Sequence, residues 1–329
     1  MNITLPKLAI AVPCYNEEAV LPQTIEKLAK LLDSLIATQK VAQDSFLFFI
    51  DDGSIDRTAE ILNHARFALQ NKIKIARFTK NFGNQSAIFA GIKESYCRYH
   101  ADCVVTIDAD LQQDKTKIPE FLAKMNEGYD LVAGVKKTRG KEPLYKKIAA
   151  NSFYRLMNFL GAKIIPNHSE YRLLTKNAIH QLLQYPERTF FLRGLLEELG
   201  LKTAVVEFEV RDRSAGVSKF TLAKLIKLAF TGIISHTVKP LYLILAVGLI
   251  VTLICFIVLA AAVIMEFTIP GGLPNVHFFA VWNAFLAAIQ ILCLGIIGQY
   301  IGQIALEVKQ RPYYLLDEIS EEITPIDQE

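Results

Sequence analysis

Short apolar runs alternate with longer amphipathic stretches through the first 135 residues. The runs Leu8 to Val12, Phe46 to Ile50, Ile73 to Phe78, Val104 to Ile107 and Asp130 to Val135 have the length and apolarity of buried strands. Between them, Glu17 to Ala37, Asp56 to Leu69, Asn84 to Cys97 and Lys117 to Asn126 read as helices. Strand and helix taking turns at this spacing predict βαβ units, an α/β fold and a mostly parallel sheet. Beyond Lys136 the pattern loosens into a basic stretch, followed by a predicted helix with Phe153, Leu156, Met157, Leu160 and Ile164 on one side. Further on, Val217 to His236 is amphipathic, with Leu222, Leu225, Ile226, Ala229 and Ile233 opposite Lys224, Lys227 and Thr231.

Two apolar stretches close the pattern, Leu241 to Met265 and Phe278 to Leu306. The first is 25 residues without a charge. As a helix it measures about 37 Å, enough to cross a hydrocarbon core about 30 Å thick. The connection Glu266 to His277 has no Lys or Arg, whereas Lys224, Lys227 and Lys239 precede the first stretch and Lys309 and Arg311 follow the second. That asymmetry predicts an integral membrane protein of the cell membrane with both ends cytoplasmic. Four segments follow: a cytoplasmic domain over 1–215, an interfacial amphipathic helix over 216–239, a transmembrane hairpin over 240–306 with spans 241–265 and 278–306, and an acidic cytoplasmic tail over 307–329. The apolar run at the N-terminus leads directly into Glu17 and Glu18, which is not the pattern of a secretory signal.

The net charge of +3 conceals an uneven distribution. From Lys136 to Lys176 there are ten Lys or Arg against Glu142 and Glu170, while six acids and no base follow Arg311. A local basic excess points to an anionic partner, either phosphate-bearing ligands or membrane lipid. No basic helix or aromatic-basic groove accompanies it, so no nucleic acid is expected. Five scattered cysteines form neither a disulfide frame nor a zinc spacing. Walker loops and GxGxxG sequences are absent, which argues against an ATPase or a dinucleotide dehydrogenase.

Candidate chemistry collects where the strands end. Asp108 and Asp110 follow the run Val104 to Ile107 and are separated by one residue. If the strand continues, both carboxylates project to one side at its carboxyl end, where open α/β sheets bind ligands. Two hard oxygen donors with Gln112 close behind suit Mg²⁺ or Mn²⁺ held jointly with a diphosphate. The first run ends in Pro13-Cys14-Tyr15-Asn16-Glu17-Glu18 and the second in Asp51-Asp52-Gly53-Ser54. Asn16 and Ser54 also suit helix capping. Three strands all ending in carboxylates repel one another unless a cation or a donor-rich ligand sits between them, so a shared site is the better account.

These motifs, with Asn81-Phe82-Gly83 and Asp108-Ala109-Asp110-Leu111-Gln112, resemble the ordered motifs of family-2 glycosyltransferases with the GT-A fold. Tyr171-Arg172-Leu173, Arg213-Ser214-Ala215-Gly216-Val217-Ser218-Lys219 and Gly298-Gln299-Tyr300-Ile301-Gly302 resemble the polyprenyl-phosphate branch of that family, the bactoprenol glucosyltransferase type. Dolichyl-phosphate mannose synthase is a more distant relative. The resemblance implies that Pro13, Tyr15, Glu17 and Asp52 hold the nucleotide, and that Asp108, Ala109, Asp110 and Gln112 bind the metal and the diphosphate sugar. It implies phosphate-gripping bases at Lys136, Lys146, Arg213 and Lys219, and a catalytic acid at Glu170. The family commonly has Asp at that last position and Arg at Lys80. A Glu reaches one methylene further, so its carboxylate sits elsewhere or its role is positional.

The implied activity is metal-dependent, inverting transfer of a single sugar, glucose from UDP-glucose, to a polyprenyl phosphate acceptor at the cytoplasmic face. In the second apolar stretch Gly295, Gly298 and Gly302 suit close helix packing, within the hairpin or between subunits of a homo-oligomer. A processive polysaccharide synthase is the alternative, but it would need more spans and a Gln-x-x-Arg-Trp motif, and the one tryptophan, Trp282, lies in the second stretch. A catalytically silent nucleotide-sugar-binding scaffold is the other, and the intact Asp108, Asp110, Gln112 and Arg213 argue against it.

Overall fold

The computed structural model describes residues 5–69, 72–137, 168–185, 192–209, 241–257 without 243, 247 and 255, and 276–319. Strands β1 (Leu8–Cys14), β2 (Phe46–Asp51), β3 (Ile73–Phe78), β4 (Cys103–Thr106), β5 (Leu131–Lys136), β6 (His168–Thr175), β7 (Thr203–Phe208) and β8 (Leu316–Ile319) form one sheet in the order β7-β5-β6-β4-β1-β2-β3-β8. It is mostly parallel. Only β6, paired with β4 and β5, and β8, paired with β3, run the other way.

Each face of the sheet is covered because the strand residues alternate between two cores. Ile10, Val12, Leu47 and Phe49 pack with helices α1 (Leu21–Ala37), α2 (Thr58–Ala68) and α4 (Ile118–Asn126). Ala9, Ala11, Phe46, Phe48 and Ile50 pack with α3 (Asn84–Cys97), α5 (Lys176–Leu182) and α6 (Leu192–Glu198). On that second face Gly91 lets α3 lie almost on the strands, since a Cβ there would meet Ala11 Cβ and Ile50 Cδ1 at 2.9 Å. After β3 the chain crosses back to place β4 on the far side of β1. The strand order therefore reverses between β1 and β4, and the carboxyl ends of those two strands flank the crevice where such sheets bind ligands.

The chain divides into two compact units. One holds the sheet with α1 to α6. The other holds α7 (Val276–Val308), a helix of 33 residues whose segment Phe285–Val308 is long and apolar enough to cross a membrane. Among the described residues it is the one helix that meets that test. Within the expected first span, 241–265, a shorter apolar helix runs over Ile244–Ile254, and residues 258–265 lie outside the described residues. The same holds for the expected interfacial helix over 216–239 and the predicted helix around Phe153 to Ile164.

The stretch 307–329, expected as an acidic tail, supplies the edge strand β8. Thr79 N–H donates to the Leu315 carbonyl at 3.0 Å as the chain rejoins the sheet. Tyr314 stacks on Phe78 with ring centroids 5.0 Å apart, and its hydroxyl donates to the buried Glu94 carboxylate at 2.5 Å. Tyr313 packs on Phe89 at 4.8 Å. These contacts tie Tyr314 into the domain's core, with Tyr313, Leu316 and Ile319 packed against it, so replacing Tyr314 by Ala should cost about 3–5 kcal/mol of stability. Tyr314→Phe should cost about 1–3 kcal/mol, because Glu94 loses a donor it cannot replace with water. Urea unfolding of the two variants beside the wild type measures both, and equal stability of all three would place the segment outside the cooperative fold.

Candidate active site

Two loops at the switch point are stitched to each other. Asn16, at φ +55°, donates its N–H to Ser54 Oγ at 3.0 Å, and its side-chain oxygen accepts from Ile55 N–H at 3.0 Å. Glu17 N–H donates to Thr58 Oγ1 at 2.9 Å, Glu18 N–H to Asp56 Oδ2 at 3.2 Å, and Arg57 N–H to Glu18 Oε2 at 3.1 Å. Asn16 and Ser54, which suited helix capping, thus serve the loops, and α1 starts after Val20 without a side-chain cap. Pro13 is buried at the end of β1, while Tyr15 is exposed beside it.

The two acids that end β2 do different things. Asp51 is interior: its Oδ1 accepts from Ser54 N–H at 2.9 Å and its Oδ2 lies 3.5 Å from Arg77 Nε. Asp52 accepts from Phe82 N–H at 2.7 Å and from Gly83 N–H at 2.9 Å, one amide on each carboxylate oxygen. Burial pushes its carboxyl above the ordinary range, the two amides pull it back, and the charge of Asp51 raises it further. Gly53 makes this approach possible. It sits at φ +67°, and a Cβ on it would come within 2.5 Å of the Lys80 carbonyl carbon. The Asn81-Phe82-Gly83 motif is therefore a backbone clamp on Asp52, delivered by the turn that opens α3.

At the neighbouring strand end the expected geometry is corrected. The strand does not continue through Asp108 and Asp110: β4 stops at Thr106, and the chain turns over 108–111 with Leu111 at φ +47°. The turn is made by Leu111 N–H donating to the Asp108 carbonyl, and Ala109 is buried with its carbonyl accepting from Thr24 Oγ1 at 2.6 Å. Gln112 donates its N–H to Asp110 Oδ1 at 3.1 Å, so the contact seen for it is through the backbone. The side chain that grips the motif is Gln113, which sequence reasoning missed. Its Oε1 accepts from Asp108 N–H at 2.7 Å and its Nε2 donates to Asp108 Oδ2. In a Gln-Gln pair nothing local distinguishes the amide that turns inward.

Strand β6 completes the site. Because it runs antiparallel between β4 and β5, its beginning lies at the carboxyl end of the sheet, and that is where Glu170 and Arg172 sit. Arg172 is fully buried and its Nη2 pairs with Glu170 Oε2. Glu170 Oε1 accepts from Gln85 Nε2 at 3.0 Å, and the Glu170 carbonyl accepts from Thr106 Oγ1. Tyr171 points to the other face, packed on Phe121 and Phe208, with its hydroxyl donating to the Asp114 carbonyl.

The structure thus brings Asp108, Asp110 and Glu170 into one electrostatic neighbourhood, with Lys136 at the end of β5. Desolvation, then the charges of Asp110 and Glu170, push the Asp108 carboxyl up to about 6, against the pull of Lys136 and Gln113. Among the described residues no set of three His, Cys, Asp or Glu side chains is arranged to hold a metal ion. What the protein offers is a pair of hard carboxylates with surplus negative charge. That donor set fits Mg²⁺ or Mn²⁺ completed by ligand oxygens and does not suit a soft metal. Lys146, Arg213 and Lys219 lie outside the described residues, as does the side chain of His168.

A family model described as Glycosyl transferase family 2 matches residues 9–183, the interval that contains each described site residue above. The chain is 38% identical over 322 residues to the uncharacterized glycosyltransferase YkoT of Bacillus subtilis (strain 168), covering 96% of this chain and 93% of that one. It is 32% identical over 315 residues to the SfII prophage-derived bactoprenol glucosyl transferase of Shigella flexneri, covering 94% and 97%. A solved structure of glucosyl-3-phosphoglycerate synthase from Mycobacterium tuberculosis, in complex with Mn²⁺, UDP-glucose and phosphoglyceric acid, is similar over 70% of this chain and 78% of that one, with a TM-score of 0.43 and 20% identity.

The raised Asp108 carboxyl has a measurable consequence for the metal-free protein. Its ionised form is penalised in the folded state, so the fold is disfavoured above about pH 6, and the penalty fades as pH falls through 6 toward the ordinary range near 3.8. In EDTA, Asp108→Asn should therefore raise the melting temperature at pH 8 by about 2–6 °C. At pH 5 the gain should shrink or vanish. A gain that grows on acidification would mean that Asp108 is stabilised as a carboxylate instead.

Proposed function

The chain belongs to glycosyl transferase family 2, and from that premise we propose that this glycosyltransferase moves one sugar, glucose from UDP-glucose, onto the phosphate of a polyprenyl carrier at the cytoplasmic face of a membrane. The observation that carries the reading is the crowd of acids at the switch point, which calls for a cation and a diphosphate between Asp108 and Asp110. Near-full-length relatives named bactoprenol glucosyl transferase support the acceptor and the sugar. In this GT-A arrangement Asp108 and Asp110 hold a divalent metal. Bound there, the metal would neutralise charge that develops on the departing nucleoside diphosphate.

The chain's own groups then divide the work. Asp52, set by the Phe82 and Gly83 amides, orients the nucleotide with Pro13, Tyr15 and Glu17. Gln113 fixes the Asp108 carboxylate, and Lys136, with Lys146, Arg213 and Lys219, supplies positive charge to phosphates. The acceptor is a phosphate monoester, largely dianionic at pH 7 because its second pKa is about 6, so it needs positioning more than deprotonation. Glu170, tied to Arg172 and Gln85, is better suited to orienting the acceptor side than to attacking the sugar. Direct attack by the acceptor from the face opposite the leaving group inverts the anomeric centre.

Two spans, over 241–265 and 278–306, are supported by the return of β8 to the sheet. A chain that leaves a domain and rejoins it crosses any intervening membrane an even number of times. With α7 as one crossing, the apolar stretch before it is the natural second. The segments 1–215 and 307–329 then share the cytoplasmic side, and the amphipathic stretch 216–239 lies at the interface.

Incubating the purified protein with a panel of radiolabelled nucleotide sugars and polyprenyl phosphate, followed by lipid extraction, tests the reading. UDP-glucose should label the lipid, and no label from any donor would sink it. EDTA should abolish transfer, and Asp110→Asn should slow it at least 10²-fold, on the order of 3 kcal/mol of lost transition-state stabilisation. Full activity in chelator would remove the metal from the account. NMR of the lipid product should show a β-linked sugar from the α-linked donor, and an α-linked product would refute single displacement.

A further inference from the structure

Gln85 lies in the first turn of α3 and has no part in the motifs of the strand ends. Its Nε2 donates to Glu170 Oε1 at 3.0 Å, while Arg172 Nη2 holds the other oxygen of the same carboxylate. The last torsion of a Glu side chain is broad, and one donor leaves the carboxylate free to swing about it. Two donors, one from a helix and one from the strand itself, fix its plane. Gln85 keeps this contact at a cost. Its own Oε1 is buried with no hydrogen-bond partner, a condition that native proteins rarely tolerate without a reason.

The turn that carries Gln85 is itself rigid. Two and three residues earlier, Gly83 and Phe82 clamp Asp52 through their amides. Gly91, two turns on, seats α3 against Ala11 and Ile50 with no room for a Cβ. A side chain projecting from this platform therefore holds its partner in a set place. Glu170 is near enough to the metal motif for its charge to act on Asp108. We propose that Gln85 is a positioning residue for sugar transfer, fixing the Glu170 carboxylate between the α3 turn and Arg172. It explains how a Glu, one methylene longer than the Asp common in the family, is accommodated: the extra reach brings the carboxylate to the Gln85 amide. The inference rests on the transfer reading above, in which Glu170 orients the acceptor side.

The test is a double-mutant cycle on the full-length protein with UDP-glucose and polyprenyl phosphate. Gln85→Met keeps length and volume but has no donor. It should lower kcat about 10-fold or more, with the donor KM and the Kd for UDP unchanged within about 2-fold. In a Glu170→Ala background, which leaves the Gln85 amide no carboxylate to hold, the same substitution should cause no further loss. Gln85→Glu, which keeps the shape and turns an acceptor toward the carboxylate, should reproduce the fall in kcat, and UDP binding reports that each variant is folded. Wild-type kcat in the folded variants, a rise in donor KM alone, or losses that multiply in the double variant would overturn the role. Absence of glycolipid from the wild type would overturn the acceptor reading itself, an outcome distinct from losses that multiply in an active protein.

Discussion

Asp108 carries a carboxyl group that burial, Asp110 and Glu170 all drive toward protonation, while only Lys136 and the Gln113 amide favour its charge. A fold gathers like charges in this way only if something outside the chain completes the arrangement. Much of the surrounding architecture serves to hold the acids in place regardless of their repulsion. Gln113 grips Asp108, the Phe82 and Gly83 amides grip Asp52, and Arg172 with Gln85 grips Glu170. The α3 turn supplies both the amides on Asp52 and the Gln85 side chain on Glu170, while Gln113 follows β4 and Arg172 lies on β6. The site is thus built before any ligand arrives, which is the condition for electrostatic stabilisation without reorganisation during the reaction.

The parallel half of the fold was legible because its signals are local. Short continuous apolar runs such as Phe46 to Ile50, bounded by turn residues, have the length of strands buried on both faces, and the acids that follow them then fall at the carboxyl ends. What escaped depends on partners distant in the chain. Strand β6 contains Ser169, Glu170 and Arg172, all buried, and so does not look like a core strand. Its charges are tolerated inside because they neutralise each other, a fact visible only after folding. In the same way β8 reads as part of an acidic tail, since Asp317 and Glu318 face water and only its pairing with β3 makes it a strand. The type and spacing of Asp108 and Asp110 are local features of the sequence, but the turn that carries them is not, because Gln113 rather than a continued ladder sets it.

One face of the sheet carries an aromatic relay that joins Tyr314 to the backbone clamp on Asp52. Tyr314 stacks on Phe78, Phe78 meets Phe82 edge-on at 5.7 Å, and the Phe82 amide holds Asp52. The segment that follows the apolar helix therefore buttresses the backbone clamp. Loss of the Tyr314 contact would thus be felt at Asp52 through packing alone, with no need for a moving part.

The pairing of β8 with β3 also sets an order of events during synthesis. Tyr314 reaches Glu94 across 220 residues of sequence, so this edge of the sheet cannot close until the chain through β8 has left the ribosome. By then the apolar helix between them has already been synthesised. The edge of β3 stays unpaired throughout that interval, a state prone to pairing with other chains. Completion of the sheet thus waits on synthesis of the apolar segment, and a chain cut short before β8 keeps an open β3 edge and an unsupported clamp.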